Sequence, residues 1–281
     1  MNTTRRTTLL ALAPILVAAG TAHGQSTPMR LLYSTPGFSD PRQAINSDVL
    51  LDRIEFGDGV VVESPQFVFP AEVKQLGYSG TVGCFRTVNG LAASTGLPGC
   101  HRLEACDGNA STISVNDLKL FPAKLKQTFA SNNLNNRTEL KSNVQFSMTV
   151  SLATRVWDSN FELDQRPELF IFEEQGNSVL RVQACTETGS LLGTAVEIRA
   201  VDLVSVVPEK VWVGRFTTAG QPTSGPCELK VATVDLTQLG VTSVKWLRIT
   251  NIGSGGNGSA DMKLLAVDTS PGPAAQTMTF D

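Results

Sequence analysis

Acidic and amide side chains crowd both ends of one short apolar run. Between Asp164 and Ser178 the sequence reads DQRPELFIFEEQGNS. Asp164 and Glu168 precede the run LFIF, Glu173, Glu174 and Asn177 follow it, and Gly176 permits a tight turn. Calcium is a hard cation that takes about six to eight oxygen ligands, and loop ends of this composition can supply them. Glu168, Glu173 and Asn177 are therefore candidate calcium ligands, joined by Asp261 and Asp268, which bracket the strand-like run DMKLLAVD. The competing reading is that solvated acids flank apolar strands, and the lack of EF-hand spacing weighs toward it. A glycosidase pair is hard to build from neighbours. Glu173 and Glu174 are adjacent, and on an extended chain their side chains leave on opposite faces, so they cannot flank one glycosidic bond. A carboxylate pair drawn from separate strands stays open.

Other chemistry is sparse. Beyond residue 24 the sole histidine is His101, and no serine sits in a GxSxG elbow, so a Ser-His-Asp arrangement has little to draw on. Cys84, Cys100 and Cys106 share the stretch GCFRTVNGLAASTGLPGCHRLEAC, which reads as a surface loop stapled by a bridge. Cys185 and Cys227 form the natural second pair, and an odd total of 5 leaves at least one thiol over. Zinc held by the first cluster with His101 is the rival, but its spacing matches no paired-knuckle arrangement. Trp157, Trp212 and Trp246 are candidates to stack on sugar rings where they face outward. Core packing is the expected fate of each. The run NIGSGGNGSAD, Asn251 to Asp261, lacks the helix and lysine of a phosphate loop and reads as a connector whose backbone could serve a ligand or an ion.

The elements that would position these residues are strands. Asn143 to Thr154, NVQFSMTVSLAT, alternates strictly between apolar and polar residues, the mark of a strand with one buried face. In LFIF, Leu169 and Ile171 point one way and Phe170 and Phe172 the other, so this strand is expected to be central and buried on both faces. Strand patterns recur at Ser178–Ala184, Glu197–Val206, Lys210–Thr217, Leu229–Val234, Val244–Asn251 and Asp261–Val267. Earlier, Asp48–Phe56 and Val60–Glu63 flank an Asp58-Gly59 turn as a hairpin. Around Asn116-Asp117 a short helix and a turn are equally readable. The fold class expected is all-β, an antiparallel sandwich of jelly-roll type with a looser, disulfide-stapled N-terminal part. The expected divisions are a signal peptide at 1–24, an N-terminal β-rich part at 25–135, a sandwich at 136–269 and a flexible tail at 270–281. The loop Asn132-Asn133-Leu134-Asn135-Asn136 serves as the junction between the two larger parts.

The first 24 residues carry the address. Arg5 and Arg6 precede an apolar run from Leu9 to Ala19, and small residues lead up to Gln25, the layout of an export signal, with Sec and twin-arginine routes both open. The run is too short for a membrane anchor, and the later apolar runs are strand-sized, so no membrane span is expected after its removal. Removal takes two of the 23 basic residues and none of the 26 acidic ones, leaving 21 bases against 26 acids, a formal charge of −5. That balance argues against a nucleic-acid partner.

The stretches PELFIFEEQGN, LRVQAC and VKWLRITNIGSGGNGSADMKLLAVD resemble the jelly-roll domains of secreted bacterial surface proteins, both exosortase-dependent surface proteins and calcium-bearing carbohydrate-binding sandwiches. The resemblance covers about residues 136–268 and implies an extracellular β-sandwich with binding or surface-structural roles, while the export signal leaves periplasmic and extracellular locations both open. It implies ion-binding or turn-stabilising roles for Glu168, Glu173, Asn177, Asp261 and Asp268. Exosortase substrates end in a Pro-containing motif, an apolar helix and a basic tail; Phe280-Asp281 shows none of these, so a freely exported protein is expected. Three functions are therefore in view: a non-catalytic module that binds a polysaccharide or cell-surface component, with structural calcium; a self-associating matrix protein; and a polysaccharide-acting hydrolase or lyase.

Overall fold

A computed structural model of the chain describes residues 29–40, 42, 48–79, 84–86, 100–101, 126, 128–139, 145–158, 166–216, 222–252 and 261–269. The signal segment, Cys106, Asp164, the Asn116-Asp117 region, most of the Gly-rich run and the tail lie outside the described residues.

In chain order, β1 (Arg30–Ser34), β2 (Leu50–Glu55) and β3 (Val61–Glu63) make a small antiparallel sheet, with β2 and β3 as the expected hairpin. β4 (Phe67–Val68) and β5 (Pro70–Ser79) then enter two different larger sheets. β6 (Cys84–Arg86), β7 (Cys100–His101) and β8 (Arg137–Glu139) form a second small sheet. The remaining strands are β9 (Gln145–Trp157), β10 (Leu169–Glu174), β11 (Leu180–Cys185), β12 (Leu191–Ile198), β13 (Val204–Ser205), β14 (Val211–Phe216), β15 (Pro222–Val234), β16 (Ser243–Asn251) and β17 (Met262–Val267). They build a six-stranded sheet in the order β13-β15-β10-β17-β4, with β14 also on β15, and a five-stranded sheet in the order β12-β11-β16-β9-β5. Every described pairing is antiparallel.

Period two explains the layering. One core fills the space between the two large sheets: Leu169, Ile171, Leu264 and Ala266 meet Met148, Val150, Val182, Leu247 and Ile249. The other face of the six-stranded sheet presents Phe170, Phe172, Leu265 and Val267 to Leu31, Leu51, Ile54 and Val62 of the small N-terminal sheet. The strand LFIF is therefore central and buried on both faces, as its double apolar pattern requires.

Several expectations need correction. β4 and β5 come from the expected N-terminal part yet pair with β17 and β9, so a boundary at residue 135 runs through both large sheets. The Asn-rich loop is no exposed junction. Leu134, Asn133, Asn135 and Asn136 are buried, because Asn133 Oδ1 accepts from Val49 N (3.2 Å) and Leu134 N donates to Val49 O (2.7 Å). The expected strand Glu197–Val206 is interrupted: Glu197 and Ile198 end β12, Val204–Ser205 is β13, and between them Asp202 Oδ2 accepts from Arg199 N at 2.8 Å to reverse the chain. Cys185 and Cys227 are both free, buried thiols. Cys185 follows the inward Ala184 and so lies on the outer side of the five-stranded sheet, whereas Cys227 belongs to the core under the N-terminal sheet. A sandwich core about 10 Å thick separates them, beyond disulfide reach. Cys84 and Cys100 lie on β6 and β7, with Cys100 opposite Arg86.

Candidate functional site

The five acid and amide candidates divide between the two ends of β10 and do not form one site. Glu173, Asn177 and Asp261 lie at one end, Glu168 and Asp268 at the other. Five residues of extended strand separate Glu168 from Glu173, roughly 17 Å.

Both glutamates have turned inward. After β10, Gln175 and Gly176 each adopt φ of 68°. This left-handed pair curls the chain so that successive N–H groups point back at the strand end. Glu173 Oε2 accepts from Gly176 N (2.5 Å) and Asn177 N (3.1 Å), and Oε1 accepts from Ser178 Oγ (2.7 Å). Burial pushes its carboxyl up to about 8, against the downward pull of these donors. At the far end, Glu168 Oε2 accepts from Leu236 N (3.0 Å) and Oε1 from Thr269 Oγ1 (2.6 Å). Burial again raises the carboxyl to about 8, and the charges of Asp235 and Asp158 add to the rise. These carboxylates act as internal caps for turns, and their oxygens face protein donors. Among the described residues no group of three or more His, Cys, Asp or Glu side chains is placed to hold a metal ion.

Beside Glu173 lies a buried polar knot that sequence reading missed. Arg137 pairs with Glu174, both side chains essentially without solvent contact. Lys263 is wholly buried; its Nζ donates to Thr128 O (3.1 Å) and Asn136 O (3.0 Å). Burial lowers its ammonium to about 7. Thr138 Oγ1 donates to Met262 O and accepts from Met262 N. The knot fastens the Asn-rich segment to β10 and β17. Its one sequence signal is a lysine inside an otherwise apolar strand, MKLLAV. Cys227 borders it, its thiol pushed up to about 12 by burial, then by the charge of Glu174.

Among the described residues, a second place with chemical character is the outer face of the five-stranded sheet. Inward Leu247 and Ile249 fix Trp246 and Arg248 as outward, and inward Val156 fixes Trp157 as outward. None of the three tryptophans is in the core: Trp157 is 48% exposed, and Trp212 and Trp246 are half-buried. Ser243 pairs with Trp157 and Trp246 with Ser151, so the backbone position opposite Trp157 lies three residues from Trp246 along β16, roughly 10 Å. Each has a cation over it. The Arg155 guanidinium is 5.9 Å from the Trp157 centroid, and Lys74 Nζ is 5.2 Å from that of Trp246. Arg248 Nε donates to Thr149 Oγ1 (2.9 Å), and Ser147 and Thr250 hydroxyls meet at 3.1 Å. Trp212 stands apart on β14 of the other large sheet, under the Arg42 guanidinium at 5.1 Å. Thr149 and Ser151 are themselves buried, so the outer face presents its two aromatic rings beside the cationic side chains of Arg155, Lys245 and Arg248. No family model, curated protein or solved structure matches the chain.

Proposed function

We propose that this is an exported, non-catalytic β-sandwich that binds a glycan on the outer face of its five-stranded sheet. The observation that carries the reading is the placement of Trp157 and Trp246 on one face of paired strands, with the side chains of Arg155, Lys245 and Arg248 on the same two strands. Aromatic rings stack on the apolar faces of sugars while neighbouring donors fix their hydroxyls, and a backbone spacing of roughly 10 Å lets an extended oligosaccharide touch both. The order β4-β17-β10-β15, with successive strands crossing between the two large sheets, supports a jelly-roll reading in which β9 is an added strand beside β5. Calcium at Glu168, Glu173, Asn177, Asp261 and Asp268 forms no part of the proposal, because the two glutamates already receive protein donors.

Self-association is the second reading, favoured by exposed Leu191, Leu192, Val201, Val204 and Val207 at one edge of the sandwich. The edge strand β12 is nevertheless blunted. Its register with β11 shifts between Val182 and Ala184, and Thr194 N is already bonded to Leu239 O (2.8 Å). Bulges of this kind oppose edge-to-edge pairing.

Retention of the purified protein on a panel of insoluble and immobilised polysaccharides, with calcium and with a chelator, tests the first reading. The expected result is retention on at least one glycan without sugar release, lost in a Trp157→Ala, Trp246→Ala double variant that keeps the native circular dichroism. Retention unchanged in that variant, or none on any polymer, refutes it. Concentration-dependent mass in sedimentation would then bring self-association forward.

A further inference from the structure

We propose that the glycan is an acidic polysaccharide, one bearing uronate carboxylates. This rests on the glycan-binding reading and adds the charge of the ligand. The three inner strands of the five-stranded sheet, β11, β16 and β9, carry Arg181, Lys245, Arg248 and Arg155 and not one Asp or Glu. The chain as a whole has a formal charge of −3. Acids around this face, Glu72, Glu187 and Glu197, are confined to the edge strands β5 and β12 and to the turn after β11.

The geometry over the rings gives the charge a purpose. A neutral sugar stacks best on a bare aromatic face, but here Lys74 and Arg155 already lie over Trp246 and Trp157. A uronate presents an apolar ring face for the aromatic surface left open and a carboxylate for the cation beside it. Lys74 holds such a carboxylate already: its Nζ lies 2.6 Å from Glu187 Oε1. Both partners are exposed to solvent, so their pairing is weak and readily exchanged. Glu187 occupies the place of a ligand carboxylate, and an incoming uronate replaces it at Lys74.

Affinity electrophoresis through gels containing polygalacturonate, or the same polymer fully methyl-esterified, tests this at low and high ionic strength. The expected result is retardation by polygalacturonate that weakens with salt, and little retardation by the ester. Lys74→Gln weakens the interaction roughly three- to fivefold, the scale of one exposed charge pair, while Glu187→Gln strengthens it by a similar factor. Arg30→Gln, on the far N-terminal sheet, leaves it unchanged. Circular dichroism establishes that each variant is folded. Equal retardation by both polymers, with Lys74→Gln silent, overturns the acidic-ligand proposal and leaves glycan binding standing. Retardation by double-stranded DNA equal to that by polygalacturonate also overturns it, since charge alone would then account for binding. Failure on both polymers and on the neutral panel removes the glycan reading itself.

Discussion

Lys263 makes the stability of the fold depend on alkaline pH in a way that one substitution isolates. Its ammonium is wholly buried against two backbone carbonyls, and burial lowers it from the ordinary 10.5 to about 7. Between these values the unfolded chain binds a proton at this site that the folded chain does not. Stability therefore rises with pH through this window, at a limiting slope of about 1.4 kcal/mol per pH unit, to a ceiling of about 5 kcal/mol near 10.5. Glu168 and Glu173 act in the opposite sense. Their folded carboxyls titrate at about 8, above the ordinary 4.5, so the folded state holds the extra protons and stability falls as pH rises from 4.5 to 8. The wild-type curve is expected to pass through a minimum near pH 8. Lys263→Met matches the four-atom stem of the side chain without its terminal nitrogen and removes the titration, leaving both glutamates in place. Urea unfolding of both proteins at pH 7 and pH 9 is the assay. The stability of the wild type minus that of the variant should grow by about 2–3 kcal/mol between the two pH values. A difference that is constant with pH would refute the reasoning, whatever its size at pH 7, because the lost hydrogen bonds alone carry no such dependence.

Two further outcomes check the packing. Arg137→Met should cost about 3–5 kcal/mol in urea unfolding by leaving the Glu174 carboxylate buried without its cation, and Arg137→Met with Glu174→Met should recover much of that loss; equal destabilisation of the single and double variants would count against the pair. Gly193→Ala should cost more than about 2 kcal/mol in a thermal melt, since its φ is 58° and a Cβ would lie 2.0 Å from Leu239 O, whereas Gly59→Ala, at φ 89° with open space around it, bears the backbone strain alone. Equal losses at the two glycines would mean that the contact with Leu239 yields.

Legibility in the sequence followed the reach of each interaction. β10 was readable because its two faces are both apolar within four consecutive residues, and β9 because its alternation persists over a whole strand. β12 was not: LLGTAVEI is an edge strand with most side chains exposed, so no buried face imposes a period. The acids at the ends of β10 read as solvated because the groups that bury them come from far along the chain. Glu174 meets Arg137 at a separation of 37 residues, and Glu168 meets Leu236 at 68. The Asn-rich loop failed for the same reason. Amides are turn formers locally, yet the Asn133 side chain here accepts from the backbone of a distant segment, and the backbone carbonyl of Asn136 accepts from Lys263 Nζ. Of the candidate site, the types of the tryptophans pointed to the core, whereas Trp157 is exposed and Trp212 and Trp246 are half-buried. That two of them share a face depended on the β9–β16 register, which the residue types alone do not encode.

The inward turn of the acids bears on the ligand as well as on stability. A formal charge of −3 suggests a surface that repels anions, but this count treats every carboxylate as ionised and exposed. Glu168, Glu173, Glu174 and Asp235 are buried, against Arg137 and Lys263 among the cations, and burial raises the carboxyls of the first two to about 8. The negative charge that reaches solvent is therefore smaller than the composition implies. What an approaching polymer meets on the five-stranded sheet is set within a Debye length, about 8 Å at physiological ionic strength, by Lys74, Arg155, Arg181, Lys245 and Arg248 against the rim acids Glu72, Glu187 and Glu197. Of these acids, Glu187 pairs with Lys74 and Glu197 with Arg181. Local arrangement outweighs the total at that range, so an acidic chain can present a face that attracts an acidic glycan.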